Sequence, residues 1–178
     1  MAAAVLLLAG MGAKADDRDS DNRDTRPLFH NNEVSLDLFG TYLNPEQRLN
    51  KLFDTNIRHG TWGGGVGLNY FPICFLGLGA DTSFQDGARK FCDHVGGNLI
   101  LRLPIEPAHL APYIFGGGGR RFDPVDAWFF DAGVGLDVRF TRHVGIFGDA
   151  RYIWHESNAQ FGARFDQALF RTGLKIAF

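Results

Sequence analysis

The sequence predicts an all-β chain: eight antiparallel strands that run up and down and close into a barrel, with a polar, glycine-rich lumen and an apolar exterior. Three observations lead there. From Glu33 onward, eight segments of about ten residues alternate apolar and polar side chains with a period of two, as a strand with two unlike faces does. Glycine supplies 23 of the 178 residues, nearly twice the usual share of roughly 7%, and it gathers on the polar side of those segments. Acids and bases share that side.

In the first segment Val34, Leu36, Leu38, Gly40 and Tyr42 oppose Ser35, Asp37 and Thr41. In the second, Trp62, Gly64, Val66, Leu68 and Tyr70 oppose Thr61, Gly63, Gly65, Gly67 and Asn69. Leu76, Leu78, Ala80 and Thr82 then oppose Gly77, Gly79, Asp81 and Ser83, and Val95, Gly97, Leu99, Leu101 and Leu103 oppose His94, Gly96, Asn98 and Arg102. The fifth segment reads with Tyr113, Phe115 and Gly117 on the apolar side and Ile114, Gly116, Gly118 and Arg120 on the polar one. In the sixth, Phe130, Ala132, Val134, Leu136, Val138 and Phe140 oppose Asp131, Gly133, Gly135, Asp137 and Arg139. In the seventh, Val144, Ile146, Ala150, Tyr152 and Trp154 oppose Gly145, Phe147, Asp149 and Arg151. The last sets Phe170, Thr172, Leu174, Ile176 and Phe178 against Arg171, Gly173, Lys175 and Ala177. The two longest connections, Leu43–Arg58 and His155–Asp166, fall on one end, and compact turns such as Thr141–His143 fall on the other.

Ahead of these segments, residues 1–15 have the apolar run and the Ala13-Lys14-Ala15 site of a signal peptide, without a preceding Lys or Arg. A buried N-terminal helix is the alternative. Residues 16–32, opening with Asp16 to Asp24, read as a disordered periplasmic linker too polar to pack. Residues 33–178 form the barrel.

Alternation alone does not say which face is inside. Glycine on the polar face suits a narrow lumen, because eight strands leave an interior only just wide enough for side chains. Asp37, Asp81, Asp131, Asp137 and Asp149 can pair there with Arg102, Arg120, Arg139, Arg151, Arg171 and Lys175, and such pairing is what buried charges need. Tyr42, Trp62, Tyr70, Tyr113, Phe140, Trp154 and Phe178 stand near the ends of the apolar face, where the aromatic girdles of a transmembrane barrel lie. The polar face is therefore expected inside and the apolar face against lipid. The lumen charges read as a plug in preference to an ion pathway.

The closing strand, with Phe170, Leu174, Ile176 and Phe178 at alternate positions, resembles the C-terminal assembly signal of Gram-negative outer-membrane barrels. Ala111–Gly119 and Gly145–Tyr152 resemble stretches of small opacity-type and OmpA-like porin-family barrels. The resemblance implies location in the cell outer membrane, both termini in the periplasm, and contact with outer-membrane lipids, lipopolysaccharide and the barrel assembly machinery. A structural or surface-interaction role is expected, with no cofactor and no enzymatic activity, and the filled lumen argues against a large general pore.

One catalytic alternative stands beside it. His155-Glu156-Ser157-Asn158 resembles the H-x-S-N motif of lipid A 3-O-deacylases, which implies His155 as base and Ser157 as nucleophile, with Asp166 as a substitute for the orienting acid. Parity continued from Trp154 turns His155 and Ser157 toward the lumen, away from a lipid substrate. The remaining histidines lack metal-site spacing, so no metal is expected. Gly116–Gly119 matches no nucleotide fingerprint. With 18 Lys and Arg against 20 Asp and Glu, nucleic acid is not an expected partner. Cys74 and Cys92 belong to opposite ends of the barrel and are expected as free thiols.

Overall fold

The computed structural model describes residues 27–45, 61–85, 92–122, 127–155 and 167–178. Eight strands follow one another: β1 (Glu33–Pro45), β2 (Thr61–Ile73), β3 (Leu76–Gln85), β4 (His94–Arg102), β5 (Leu110–Arg121), β6 (Ala127–Arg139), β7 (Val144–His155) and β8 (Gln167–Ala177). Each pairs antiparallel with the next, and β1 also pairs with β8, so the sheet closes on itself. Leu36, for example, stands opposite Leu68 on one side and Ile176 on the other. Closure removes the free sheet edge and lets every strand use both backbone sides, which is what allows a sheet to stand in lipid.

The barrel has a turn end and a loop end. Short connections at the turn end join β2 to β3, β4 to β5 through a 3-10 turn over Glu106–Ala108, and β6 to β7. His109 leaves that 3-10 turn with φ 56°, the left-handed conformation that reverses the chain. The chain termini of the barrel meet at the same end, where the backbone N–H of Phe178 donates to Val34 O at 2.8 Å.

The distribution of side chains is that of an inverted protein. Leu38, Val66, Leu99, Val134 and Leu174 are each at least 42% exposed, while Asp137, Arg139 and Arg151 are at most 2% exposed. Charge sits inside and hydrocarbon outside. Glycines face many of the interior rings. A Cβ on Gly65 or Gly173 would collide with Phe39, one on Gly77 with Phe71, and one on Gly133 with Phe115. The room that glycine makes in the lumen is thus occupied by specific aromatic side chains, Phe39, Phe71, Tyr113, Phe115 and Phe129, all buried.

Two expectations change. On β5 the faces are reversed: Tyr113 and Phe115 are buried in the lumen, whereas Ile114 is 55% exposed. Gly117 and Gly119 therefore face inward, in place of Gly116 and Gly118, and Arg120 points out of the barrel. The cause is local. Tyr113, Ile114 and Phe115 are all apolar, four glycines follow, and Arg120 and Arg121 are both basic, so hydropathy is blind to parity over the whole strand. The second change concerns residues 27–32, the end of the expected linker. Leu28 and Phe29 donate their backbone N–H groups to the Glu106 carboxylate at 2.9 and 3.1 Å, and Phe29 is 3% exposed. This short strap is docked across the turn end. The expected signal peptide and the residues up to Arg26 lie outside the described residues.

Candidate functional site

Among the described residues chemistry is concentrated in the lumen, which is built in three levels. At the turn end Glu33, fully buried, receives Arg102 through Nη1 at 3.0 Å and Nη2 at 3.3 Å, and Arg139 through Nη2 at 2.5 Å. Arg139 also donates through Nε to Asp137 at 3.0 Å, and Lys175 reaches the same carboxylate at 3.1 Å. Aromatic rings cover the guanidinium groups: Arg102 lies 3.8 Å from the Phe71 centroid, and Phe29 is stacked near both Arg102 and Arg139, at 4.9 and 5.3 Å. Phe29 thus closes the turn end from below.

The middle level centres on two aspartates. Asp149 takes a bidentate contact from Arg171, at 2.9 and 2.8 Å, and the Tyr113 hydroxyl donates to it at 3.0 Å. Asp81 collects Arg151 at 2.9 Å, Arg171 at 3.1 Å and the Asn98 amide at 2.9 Å. Arg151 extends the chain to Asp131 at 2.7 Å, and Asn69 donates to Asp37 at 2.8 Å. Charge-assisted, two-pronged contacts of this kind fix geometry as well as energy. Between the levels lies a cavity of about 20 Å³, lined in part by Asp37, Asn98, Arg102 and Lys175, which has room for about one water.

At the loop end the polar interior gives way to an apolar layer. Leu43, Phe129, Ile153 and Leu169 form a buried cluster. Above it Arg121 donates to Gln167 at 2.9 Å and lies 3.2 Å from the His155 Nε2 atom. A ring of salt bridges, a stacked phenylalanine and an apolar layer therefore obstruct the lumen in series.

Most of the expected charge network is brought together. Asp37, Asp81, Asp131, Asp137, Asp149, Arg102, Arg139, Arg151, Arg171 and Lys175 all face the lumen and join ion pairs. Arg120 does not face the lumen, because it is on the outward face of β5. Glu33 was missed, although parity from Ser35 and Asp37 extends to it. Of the C-terminal residues, Phe170, Leu174 and Phe178 are exposed on the outer face of β8 and Ile176 is half-buried there. His155 ends β7 on the lumen side, and its two supposed partners, Ser157 and Asp166, lie outside the described residues, as do most of the two longest loops. Cys74 and Cys92 are free thiols.

The geometry also juxtaposes Ser83, His94 and Asp81, with the Ser83 hydroxyl 3.1 Å from His94 Nδ1 and His94 Nε2 3.3 Å from Asp81. Those are the residue types of a hydrolytic triad. Ser83, however, is 2% exposed, and the Asp81 carboxylate already serves two guanidinium groups. The trio is part of the lumen packing. Among the described residues no cluster of His, Cys, Asp and Glu could hold a metal ion.

The N-terminal β-barrel domain of Pseudomonas aeruginosa OprF superposes with a TM-score of 0.58 at 14% identity, over 84% of this chain and 99% of that one. The fold is that of the eight-stranded outer-membrane barrels. Neisserial surface protein A matches with a TM-score of 0.55 at 12% identity, covering 82% of this chain and 96% of that one. A transmembrane β-barrel designed de novo matches at 0.51 and 16% identity, over 83% and 97% of the two chains. A designed chain fits about as well as natural ones, so the likeness speaks for architecture and not for activity. No family model matches the sequence, and no curated protein sequence matches it.

Proposed function

We propose that the protein is an integral outer-membrane barrel with a structural and surface-interaction role, closed to general diffusion. One observation carries the reading: an apolar outer wall, broken among the described strand residues by Arg120 alone, surrounds a lumen filled with paired charges and aromatic rings. Water is a poor solvent for that wall, and lipid is a good one. The closed sheet supplies the anchor, and the loop end, with its long connections over residues 46–60 and 156–166, supplies the surface for partners outside the cell. Export through an N-terminal signal peptide and periplasmic termini belong to the same proposal.

Heat-modifiable gel migration tests the anchor. The protein folded in detergent is expected to run faster than the boiled one, whereas a mature chain that stays monomeric in buffer without detergent overturns the reading. Planar-bilayer recording tests the closed lumen, and a large, stable conductance would overturn it. The deacylase alternative has weaker support, since the His155 ring is turned to the lumen and engaged by Arg121. Mass spectrometry of lipid A with and without the protein decides between them: loss of an acyl chain would reverse the choice.

A further inference from the structure

Among the described residues, Arg120 is the one charged side chain on the outward face of the eight strands. Every other outward position is apolar, glycine, or an uncharged residue such as Thr82, Thr172 or the tyrosines. The position is set by the register, which places Arg120 between Val95 on β4 and Trp128 on β6, both exposed on the same wall. It lies at the loop end, level with the aromatic band that contains Trp62, Trp128 and Trp154, which are 69%, 58% and 44% exposed. The Arg120 guanidinium stands 5.8 Å from the Trp128 ring and 5.9 Å from Phe122, so the two rings hold it along the barrel wall.

A charge directed into hydrocarbon is costly, and the cost falls toward the interface. At girdle depth a guanidinium meets lipid headgroups, and its planar fork matches phosphate in a way that an ammonium does not. The longer loops of a transmembrane barrel lie outside the cell, so the leaflet at this level is the external one, which in an outer membrane is built of phosphorylated glycolipid. We infer that Arg120, framed by Trp128 and Phe122, is a lipid-binding site for a headgroup phosphate of that glycolipid, lipopolysaccharide. The inference rests on the membrane reading above. It turns the one break in the apolar wall into a point of attachment.

The test uses the full chain refolded into phosphatidylcholine bicelles that contain a small fraction of lipopolysaccharide. Native mass spectrometry after extraction reads the glycolipid retained per barrel. Arg120→Gln is expected to reduce retention about fivefold, the effect of one cationic side chain near a charged headgroup, and Arg120→Lys is expected to restore part of it. With enzymatically dephosphorylated lipopolysaccharide, wild type and Arg120→Gln should retain equal amounts. Equal retention of the phosphorylated lipid by wild type and Arg120→Gln overturns the site, and so does an equal loss of the dephosphorylated lipid, which would mean a contact to sugar or acyl chain. Phosphatidylglycerol in place of lipopolysaccharide tests the source: retention that depends on Arg120 to the same degree overturns the assignment to glycolipid. Heat-modifiable migration of both variants separates the outcomes. If it is absent in the wild type, the membrane reading fails; if it is present in all while lipid retention is unchanged, only the Arg120 site fails.

Discussion

Asp81 shows how single residues hold the lumen. Its carboxylate meets Arg151, Arg171, Asn98 and His94, drawn from β7, β8 and β4. Removing it takes a carboxylate from two buried guanidinium groups at once, leaving Arg151 with Asp131 and Arg171 with Asp149. Asp81→Ala is therefore expected to cost about 3–5 kcal/mol, the loss typical of breaking a buried charge pair, read as a lowered urea midpoint in phospholipid vesicles. The glycines opposite the rings behave in the opposite sense, because the harm there comes from added volume. Gly133→Val would push a side chain into Phe115 and the backbone of Ala150, with an expected loss of about 1–3 kcal/mol by the same measurement. A neutral result for Gly133→Val would mean that the Phe115 ring can leave its place at no cost.

At the scale of one strand, β5 is the instructive case. The reversal of its faces makes a prediction that distinguishes the two parities. Ile114 is exposed on the outer face of the barrel and Tyr113 bonds to Asp149 in the lumen. Ile114→Arg should cost about 2 kcal/mol or more, as a charge on the lipid face does. Tyr113→Phe should cost about 1.5 kcal/mol from the lost bond to a charged acceptor. With the parity read from sequence, Ile114→Arg would instead point into the lumen, and Tyr113→Phe would be nearly silent on the lipid face. Vesicle unfolding titrations of the two variants separate these outcomes. On the other seven strands hydropathy alone assigns the faces, because each carries Asp, Arg, Asn, Lys or several glycines at alternate positions between large apolar residues. β5 has no such contrast until its last two residues, and those are both arginine.

The whole molecule is sealed more than once. Phe29 and the Glu33–Arg102–Arg139 cluster close the turn end, and the Leu43–Phe129–Ile153–Leu169 layer closes the lumen near the loop end. Seals in series are redundant. Phe29→Ala is thus expected to leave single-channel conductance at the wild-type level while exposing the strap to protease, as limited proteolysis of the vesicle-embedded protein would detect. A jump in conductance from this one change would mean that the apolar layer is open to ions. The strap itself was outside the reach of sequence reading: Pro27 to Asn32 carry no period, and their position depends on a carboxylate 77 or 78 residues away.

The amino-acid order by itself determined the number of strands, their approximate limits, the antiparallel closed sheet and the inversion of polar and apolar surfaces. All of these follow from side-chain alternation, which is a local property of the strand. Tertiary structure alone decided the parity of β5, with Phe115 turned into the lumen and Arg120 out of it, the packing of Phe39, Phe71 and Phe129 against the lumen glycines, and the docking of residues 27–32. Each of those depends on which residue lies across the barrel. Register between strands distant in sequence sets that neighbour, and no run of adjacent letters encodes it.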